Sequence, residues 1–153
     1  MVKDTPTQKP NDAFQLTACA CANLRKASRA VTQVYDAALQ PTGLKATQFT
    51  LLATLSTLGD LPLTRLAEAL VMDRTTLTRN LKPLIGKGLV DVASGDDQRV
   101  RKVGLTPSGR TAFDEALPHW RIAQSRFVEG LGQEKLRDLL AGIGGTVSIA
   151  RGH

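Results

Sequence analysis

A short run rich in arginine, threonine and lysine holds the side chains whose chemistry is easiest to interpret. No acidic residue occurs between Arg74 and Val90. Guanidinium groups can pair with guanine edges, threonine can contact thymine methyls or phosphates, and lysine can neutralise phosphate. This run predicts contact with a DNA major groove, although a solvated polar helix face remains the alternative. The side chains concerned are Arg74, Thr75, Thr76, Thr78, Arg79 and Lys82.

A helical pattern from Arg74 to about Gly86 would present these side chains on one surface. Asp73 is a good N-cap, because its carboxylate can accept a backbone N–H two or three residues later. Pro83 lies inside the pattern and lacks an N–H, so we expect a kink or a loosened last turn. The opposite side would be buried through leucines at spacings of four and three, namely Leu77, Leu81 and Leu84.

Three further predicted elements flank this helix. A shorter helical pattern, Leu63–Leu70, precedes it across the three-residue turn Val71–Asp73. Two β patterns, Leu89–Ala93 and Arg101–Leu105, follow it around a polar tip that begins at Ser94. Two helices joined by a tight turn, followed by a basic hairpin, predict a winged helix-turn-helix.

The hairpin tip offers a second candidate contact with DNA. Arg99 and Arg101 lie two residues apart, so in a strand they would project from the same face. Asp97 could hold the guanidinium of Arg99 by a charge-assisted hydrogen bond. A braced arginine at a hairpin tip suits the narrow, negative minor groove. A solvated hairpin with ordinary surface charges is the alternative.

The order of these motifs resembles the multiple antibiotic resistance regulator (MarR) family from about Asn11 to Ile149, most strongly over residues 61–110. The matching runs are Asp73-Arg-Thr-Thr-Leu-Thr-Arg-Asn-Leu-Lys82, Gly88-Leu-Val90, Asp97-Gln-Arg-Val-Arg101 and Leu105-Thr-Pro-Ser-Gly-Arg110. The sequence departs from the family at Val71, where many members have glycine in the turn before the recognition helix.

The resemblance implies a homodimeric transcription regulator that binds a pseudo-palindromic operator in double-stranded DNA, most often as a repressor. It also implies release by a small aromatic or anionic effector bound between the dimer helices and the DNA-binding region. The matching positions would place Arg99 in the minor groove with Asp97 orienting it. The major groove would be contacted by Arg74, Thr75, Thr76, Thr78 and Arg79.

Length and composition predict one mainly α domain of 153 residues with a small β wing. The formal net charge of +6 is concentrated in residues 74–110, which carry eight basic and three acidic side chains. Such a footprint suits DNA. We expect a flexible tail over residues 1–11, a winged helix-turn-helix over 45–105, and dimerisation helices over 12–40 and 111–150. No membrane span or signal peptide is expected, which favours a cytoplasmic protein.

The remaining helices would build the dimer. A continuous helix from Asn11 or Asp12 to about Leu39 would carry one long apolar stripe, Leu16, Ala20, Leu24, Ala27, Val31, Val34 and Ala38. A second helix is predicted over about Thr47–Leu58, and Leu61-Pro62 could add a strand beside the wing. Thr106 and Pro107 would start a long helix. The last helix, about Gln133–Ile149, would need a partner surface; folding back on its own subunit is the alternative.

Several residues are candidates for regulation. Arg25 and Arg29, with Tyr35, His119 and Trp120, could meet an aromatic acid, or they could be ordinary surface and packing residues. Cys19 and Cys21 fall in the first predicted helix, about 200° apart around it, and so should not bond to each other there. Arg25 lies one turn after Cys21 and could favour its thiolate. A thiol-based redox sensor is therefore an alternative mode of control.

The sequence disfavours an enzyme. It contains no Gly-rich phosphate loop, no Gly-x-Ser-x-Gly elbow and no His-Glu-x-x-His motif. The two histidines, His119 and His153, lack neighbours at ligand spacing, so neither a metal site nor a cofactor is expected. The alternative of another class is a helical dimer that binds other proteins without specific DNA binding.

Overall fold

The computed structural model describes residues 17–94, 96–97 and 99–152. The chain forms two compact units, Met1–Val34 and Tyr35–His153. Helix α1 (Ala20–Leu39) contains the boundary between them. Within the described ranges, no helix is both long and apolar enough to cross a membrane.

The first unit corrects the prediction of an unbroken helix from Asn11 or Asp12. Residues up to Leu16, with the expected tail, lie outside the described part of the chain, but the helix is interrupted at Ala18 and Cys19 before α1 begins. The side-chain amide of Asn23 donates to the carbonyl oxygens of Thr17 (2.8 Å) and Cys19 (2.9 Å). This amide stabilises the interruption, because it binds one carbonyl just before it and one within it.

The second unit is mainly helical, as predicted. After α1 the chain makes a 3-10 turn over Gln40–Thr42. The elements that follow are α2 (Ala46–Leu58), β1 (Leu61–Pro62), α3 (Leu63–Ala69), α4 (Arg74–Gly86), β2 (Val90–Ser94), β3 (Arg101–Leu105), α5 (Pro107–Leu131) and α6 (Gln133–Arg151).

The three strands form a small antiparallel sheet in the order β1-β3-β2. Leu61 pairs with Val103, which confirms the predicted short strand beside the wing. On the other side of β3, Val90 pairs with Leu105 and Ser94 with Arg101. The wing, defined as β2, β3 and the tip between them, is thus anchored to the chain that leads into α3.

The core of the second unit is built mainly from leucine. The predicted leucine stripe of α4 is buried, and Phe49, Leu51, Leu52 and Leu55 of α2 are buried as well. Val103 of β3 and Ala116 of α5 complete the same cluster. The fully buried leucines are Leu39, Leu51, Leu52, Leu55, Leu66, Leu77, Leu81 and Leu84.

Helix α5 begins as the sequence predicted. Thr106 is its N-cap and accepts from the backbone N–H of Gly109 at 3.0 Å. The Thr106 hydroxyl also donates to the carbonyl of Gly88 at 2.6 Å, just after α4. The helix continues through Pro118 to Leu131. The N-terminus of α5 is therefore fastened to the end of α4.

Candidate nucleic-acid interface

The turn before α4 holds Val71 in a left-handed backbone conformation, with φ of 53°. Its N–H donates to the carbonyl of Glu68 (3.2 Å), and the N–H of Met72 donates to the carbonyl of Ala67 (2.9 Å). These two bonds form a Schellman motif, which ends α3 and usually places glycine at the left-handed position. The helix-turn-helix therefore keeps its geometry even though valine replaces glycine.

The N-terminus of α4 is capped by Asp73, as predicted. Its carboxylate accepts from the backbone N–H of Thr76 (2.8 Å) and from the Thr76 hydroxyl (2.6 Å). The hydroxyl bond first, and then the backbone bond, lower the pKa of Asp73 below its ordinary value. Asp73 is therefore ionised at neutral pH and fixes the first turn of the helix, with the hydroxyl of Thr76 committed to the cap.

The two sides of α4 differ as the sequence indicated. Leu77, Leu81 and Leu84 are buried, whereas every candidate major-groove residue is exposed. Thr78 donates its hydroxyl proton to the carbonyl of Arg74 at 2.8 Å, so its lone pairs remain available to accept. The exposed side chains are Arg74, Thr75, Thr76, Thr78, Arg79 and Lys82.

The C-terminal end of α4 remains helical around Pro83. The helix ends at Gly86, and the N–H of Lys87 donates to the carbonyl of Pro83 at 3.1 Å. Gly88 then adopts a φ of 68°, a conformation that favours glycine. The proline therefore does not shorten the surface that α4 presents.

The tip of the wing differs from the sequence prediction in two respects. Arg99 lies in the turn, and only Arg101 lies in β3. The prediction that both arginines project from the same face of a strand is therefore wrong. Asp97 accepts from the backbone N–H of Arg99 at 3.0 Å. In the described part of the wing, Asp97 makes no ion pair with the Arg99 guanidinium. An aspartate in a turn readily accepts the backbone N–H two residues later, and here its carboxylate does so. Asp97 therefore shapes the tip, and the Arg99 side chain is exposed.

The basic side chains of α4 and the wing form no ion pairs within the described part of the chain. Among the described residues, the ion pairs join Lys45 to Asp36, Arg65 to Glu68, and Arg137 to Asp138. The basic side chains of α4 and the wing form none of these pairs. The positive potential of the surface is therefore not neutralised locally and is available to phosphates. The unpaired cations are Arg74, Arg79, Lys82, Arg99, Arg101 and Lys102.

The residues considered for regulation fall in both units. In the first unit, Arg25 and Cys21 are exposed and Cys19 is half-buried. Cys19 precedes α1, so the 200° separation from Cys21 predicted for a shared helix does not hold. In the second unit, His119 and Trp120 are half-buried on α5.

Trp120 belongs to a continuous series of aromatic contacts. Its ring centroid lies 6.0 Å from that of Phe49 and 6.5 Å from that of Tyr35. Phe49 stacks on Phe113 at 5.4 Å, and Tyr35 stacks on Phe127 at 5.6 Å. Burial raises the pKa of the Tyr35 hydroxyl, so this group is protonated at neutral pH. Five of the six aromatic side chains in the sequence thus share one cluster.

A groove of about 450 Å³ opens beside this cluster. We call it the threonine groove, because Thr50, Thr54 and Thr57 of α2 line it. Sequence analysis missed it, although threonines at spacings of four and three already placed their hydroxyls on one helix face. The other lining residues are Phe49, Ala53, Leu58, Ala69 and Trp120.

Comparisons with known proteins agree with this geometry. The MarR family model matches residues 44–100. The structure of the transcriptional regulator MosR of M. tuberculosis in complex with DNA is 39% identical, with a TM-score of 0.77. That similarity covers 87% of this chain and 98% of MosR.

Two further proteins are similar to this chain at lower sequence identity. An uncharacterised helix-turn-helix regulator of Bacillus subtilis, YwoH, is 27% identical over 92 residues, which is 60% of this chain and 67% of YwoH. A mutant of MarR from E. coli with operator DNA is 20% identical and has a TM-score of 0.74, covering 82% of this chain and 91% of that protein. The E. coli structure supports the fold alone.

Proposed function

This chain belongs to the MarR family of DNA-binding transcription regulators, and from that premise we propose that it acts in the cytoplasm as a homodimeric repressor. The observation that carries the proposal is the contrast across α4. Its leucines are buried, while Arg74, Arg79 and Lys82 are exposed without ion-pair partners in the described chain. Such a helix can enter a major groove, read base edges with its arginines and bind phosphate with its lysine.

The proposed homodimer is supported by the apolar surface of α6. No residue of this helix is buried. Leu139 (49%), Leu140 (57%) and Ile143 (39%) are exposed at helical spacings of one and three. In a two-fold dimer the two α4 helices would meet successive major grooves about 34 Å apart, so the operator would be a pseudo-palindrome.

The test is selection of duplexes from random DNA, followed by affinity measurements on the selected site. We expect two inverted half-sites and an affinity that falls steeply from low to moderate salt. Arg79→Ala should lose about 1–3 kcal/mol of binding free energy. Arg126→Ala, which removes one exposed positive charge from α5, is the matched control. Equal affinity for all duplexes, or none in dilute salt, would favour a protein-binding dimer instead.

We further propose that the threonine groove accepts the effector. Thr50, Thr54 and Thr57 donate their hydroxyl protons to carbonyls one turn earlier, at 2.8–2.9 Å. They can therefore offer lone pairs to a ligand while those bonds persist. The described lining contains no cation. Family resemblance implied an aromatic or an anionic effector, and this chemistry favours a planar aromatic that carries N–H donors over an anion.

Release of DNA by two probes tests the effector site. We expect 2-aminobenzimidazole to release the operator at lower concentration than benzoate does. Thr54→Val should weaken that response, because it removes an acceptor and nearly preserves the shape of the groove. Thr47→Val, an exposed position of α2 outside the groove, is the control. A stronger response to benzoate would contradict the assigned ligand chemistry.

Redox control by Cys19 or Cys21 is a second candidate, favoured by the interruption before α1. Because Cys19 lies outside the helix, helical geometry no longer separates the two thiols. Peroxide treatment of the wild type, Cys19→Ser and Cys21→Ser tests this mode of control. Retention of DNA by either variant under peroxide would support it, and equal release from all three proteins would remove both thiols from the mechanism.

A further inference from the structure

We propose that Asp36 and Lys87 are positioning residues that hold α4 at a fixed place relative to α5 and so set the half-site spacing that the dimer accepts. The inference rests on the proposed function, because spacing has meaning only for a dimer on a two-part operator. It concerns the segment Tyr35–Ala46, which we call the junction, and all of it belongs to the second unit.

Asp36 fastens the end of α1 to the start of α2. One carboxylate oxygen accepts from the backbone N–H of Ala46, the first residue of α2, at 2.7 Å. That N–H has no partner within its own helix. The residue before it, Lys45, cannot cap it, because an ammonium group has no acceptor. Asp36, ten residues earlier in the chain, therefore provides the acceptor.

Lys45 strengthens the same contact. Its ammonium nitrogen lies 3.8 Å from the other carboxylate oxygen of Asp36. Its backbone N–H donates to the side-chain oxygen of Gln48 at 3.0 Å. The Asp36 side chain is only 29% exposed. Both oxygens of this carboxylate thus contact the start of α2. The hydrogen bond and the ion pair therefore help to fix the angle between the last turn of α1 and α2.

Tyr35, the residue before Asp36, binds the junction to α5. The hydroxyl of Tyr35 donates to the side-chain oxygen of Gln124 at 2.5 Å. The Tyr35 ring stacks on Phe127 at 5.6 Å, with the two planes only 4° apart. Consecutive residues therefore bind two different helices, Tyr35 to α5 and Asp36 to α2.

Lys87 connects the junction to the recognition helix. It follows Gly86, the last residue of α4, and its ammonium group donates to the carbonyl of Gly43 at 2.9 Å. Gly43 ends the 3-10 turn with a φ of 70°. Thr42 supports this turn by donating its hydroxyl to the carbonyl of Leu39 at 2.7 Å.

These contacts form one path from α5 to α4. Gln124 binds Tyr35, the next residue binds the start of α2, and the loop between those residues receives Lys87. In a dimer, small rotations of α4 about the junction would change the separation of the two recognition helices. The match to a groove repeat of about 34 Å then depends on how stiff the junction is.

The experiment measures affinity for the selected operator and for versions with one base pair added or removed between half-sites. The wild type should prefer its own spacing by about tenfold, equivalent to about 1.4 kcal/mol. In Lys87→Met and in Asp36→Ala the preference should fall to about threefold or less, since a looser junction accepts several spacings at lower cost. Lys87→Arg keeps a donor and should restore the preference.

Lys82→Met is the matched control, because it removes a cation from α4 without touching the junction. It should weaken all three duplexes by the same factor, as loss of a phosphate contact does. If Lys87→Met also weakens them uniformly, Lys87 is only a phosphate ligand and the inference is overturned. Lys87 is exposed, so this variant decides the matter even if Asp36→Ala does not fold. Absence of wild-type binding would instead refute the proposed function.

Discussion

At the scale of single residues, the turn of the helix-turn-helix includes a strained backbone conformation at Val71. Val71 has a φ of 53°, and the residue is 54% exposed. A β-branched residue is rarely found in this region, because its Cβ crowds the following carbonyl. Since little packing is gained there, the turn is held by its hydrogen bonds to the end of α3.

We expect Val71→Gly to stabilise the protein by about 1 kcal/mol, because relief of strain exceeds the added chain entropy of glycine. Urea unfolding of both proteins measures the difference. Val71→Ala should fall between them or match the wild type, since alanine keeps the Cβ. A less stable Val71→Gly would show that the valine side chain makes a favourable contact outweighing its strain.

The cap of α4 gives a pH-dependent prediction. The pKa of Asp73 is lowered in the folded chain, so its stabilising effect is present above the unfolded pKa and is lost as pH falls through the folded value. Asp73→Ala should unfold at lower urea than the wild type at pH 7, and the gap should close below its ordinary pKa of 3.8. Asp114→Ala, an exposed position inside α5, should show no comparable gap.

At the scale of elements, α5 approaches the segment between α4 and β2 through Gly109. A Cβ at this position would overlap the carbonyl of Leu89, which also accepts the N–H of Thr106 at 3.1 Å. Gly109 is buried in the first turn of α5. The glycine is therefore required by contact between two backbones.

Gly109→Ala should lower the free energy of unfolding by about 1–3 kcal/mol, because the backbones must separate to admit the methyl group. Gly130→Ala, near the end of the same helix, meets nothing within 4 Å and should leave stability unchanged or slightly increased. Thermal or urea unfolding compares the two. Equal behaviour would mean that the α5 N-terminus shifts freely.

Local sequence signals predicted elements well and tertiary contacts poorly. The caps Asp73 and Thr106 and the leucine stripe of α4 depend on neighbours a few residues away, and the structure confirms them. The contact of Asp36 with Ala46 depends on how α1 and α2 meet, and the spacing of apolar residues along the sequence does not predict that. The interruption at Cys19 also escaped prediction, because the apolar spacing continued across it.

At the scale of the whole molecule, association should depend on the exposed apolar face of α6. We expect Leu140→Glu combined with Ile143→Glu to yield monomers at concentrations where the wild type sediments as a dimer, because two charges would be buried without partners. The double variant should also bind the operator with lower affinity, because it has lost the dimer. Glu134→Gln, in the first turn of α6, is the control. A dimeric double variant would place the interface elsewhere.

The aromatic cluster has a practical consequence for spectroscopy. Trp120 is the single indole of the chain, and it borders the threonine groove while lying 6.0 Å from Phe49 on α2. Its intrinsic fluorescence therefore reports on one known location without any attached dye. A quencher or ligand that enters the groove should change the emission directly, so stopped-flow optics could time that event separately from departure of a labelled duplex.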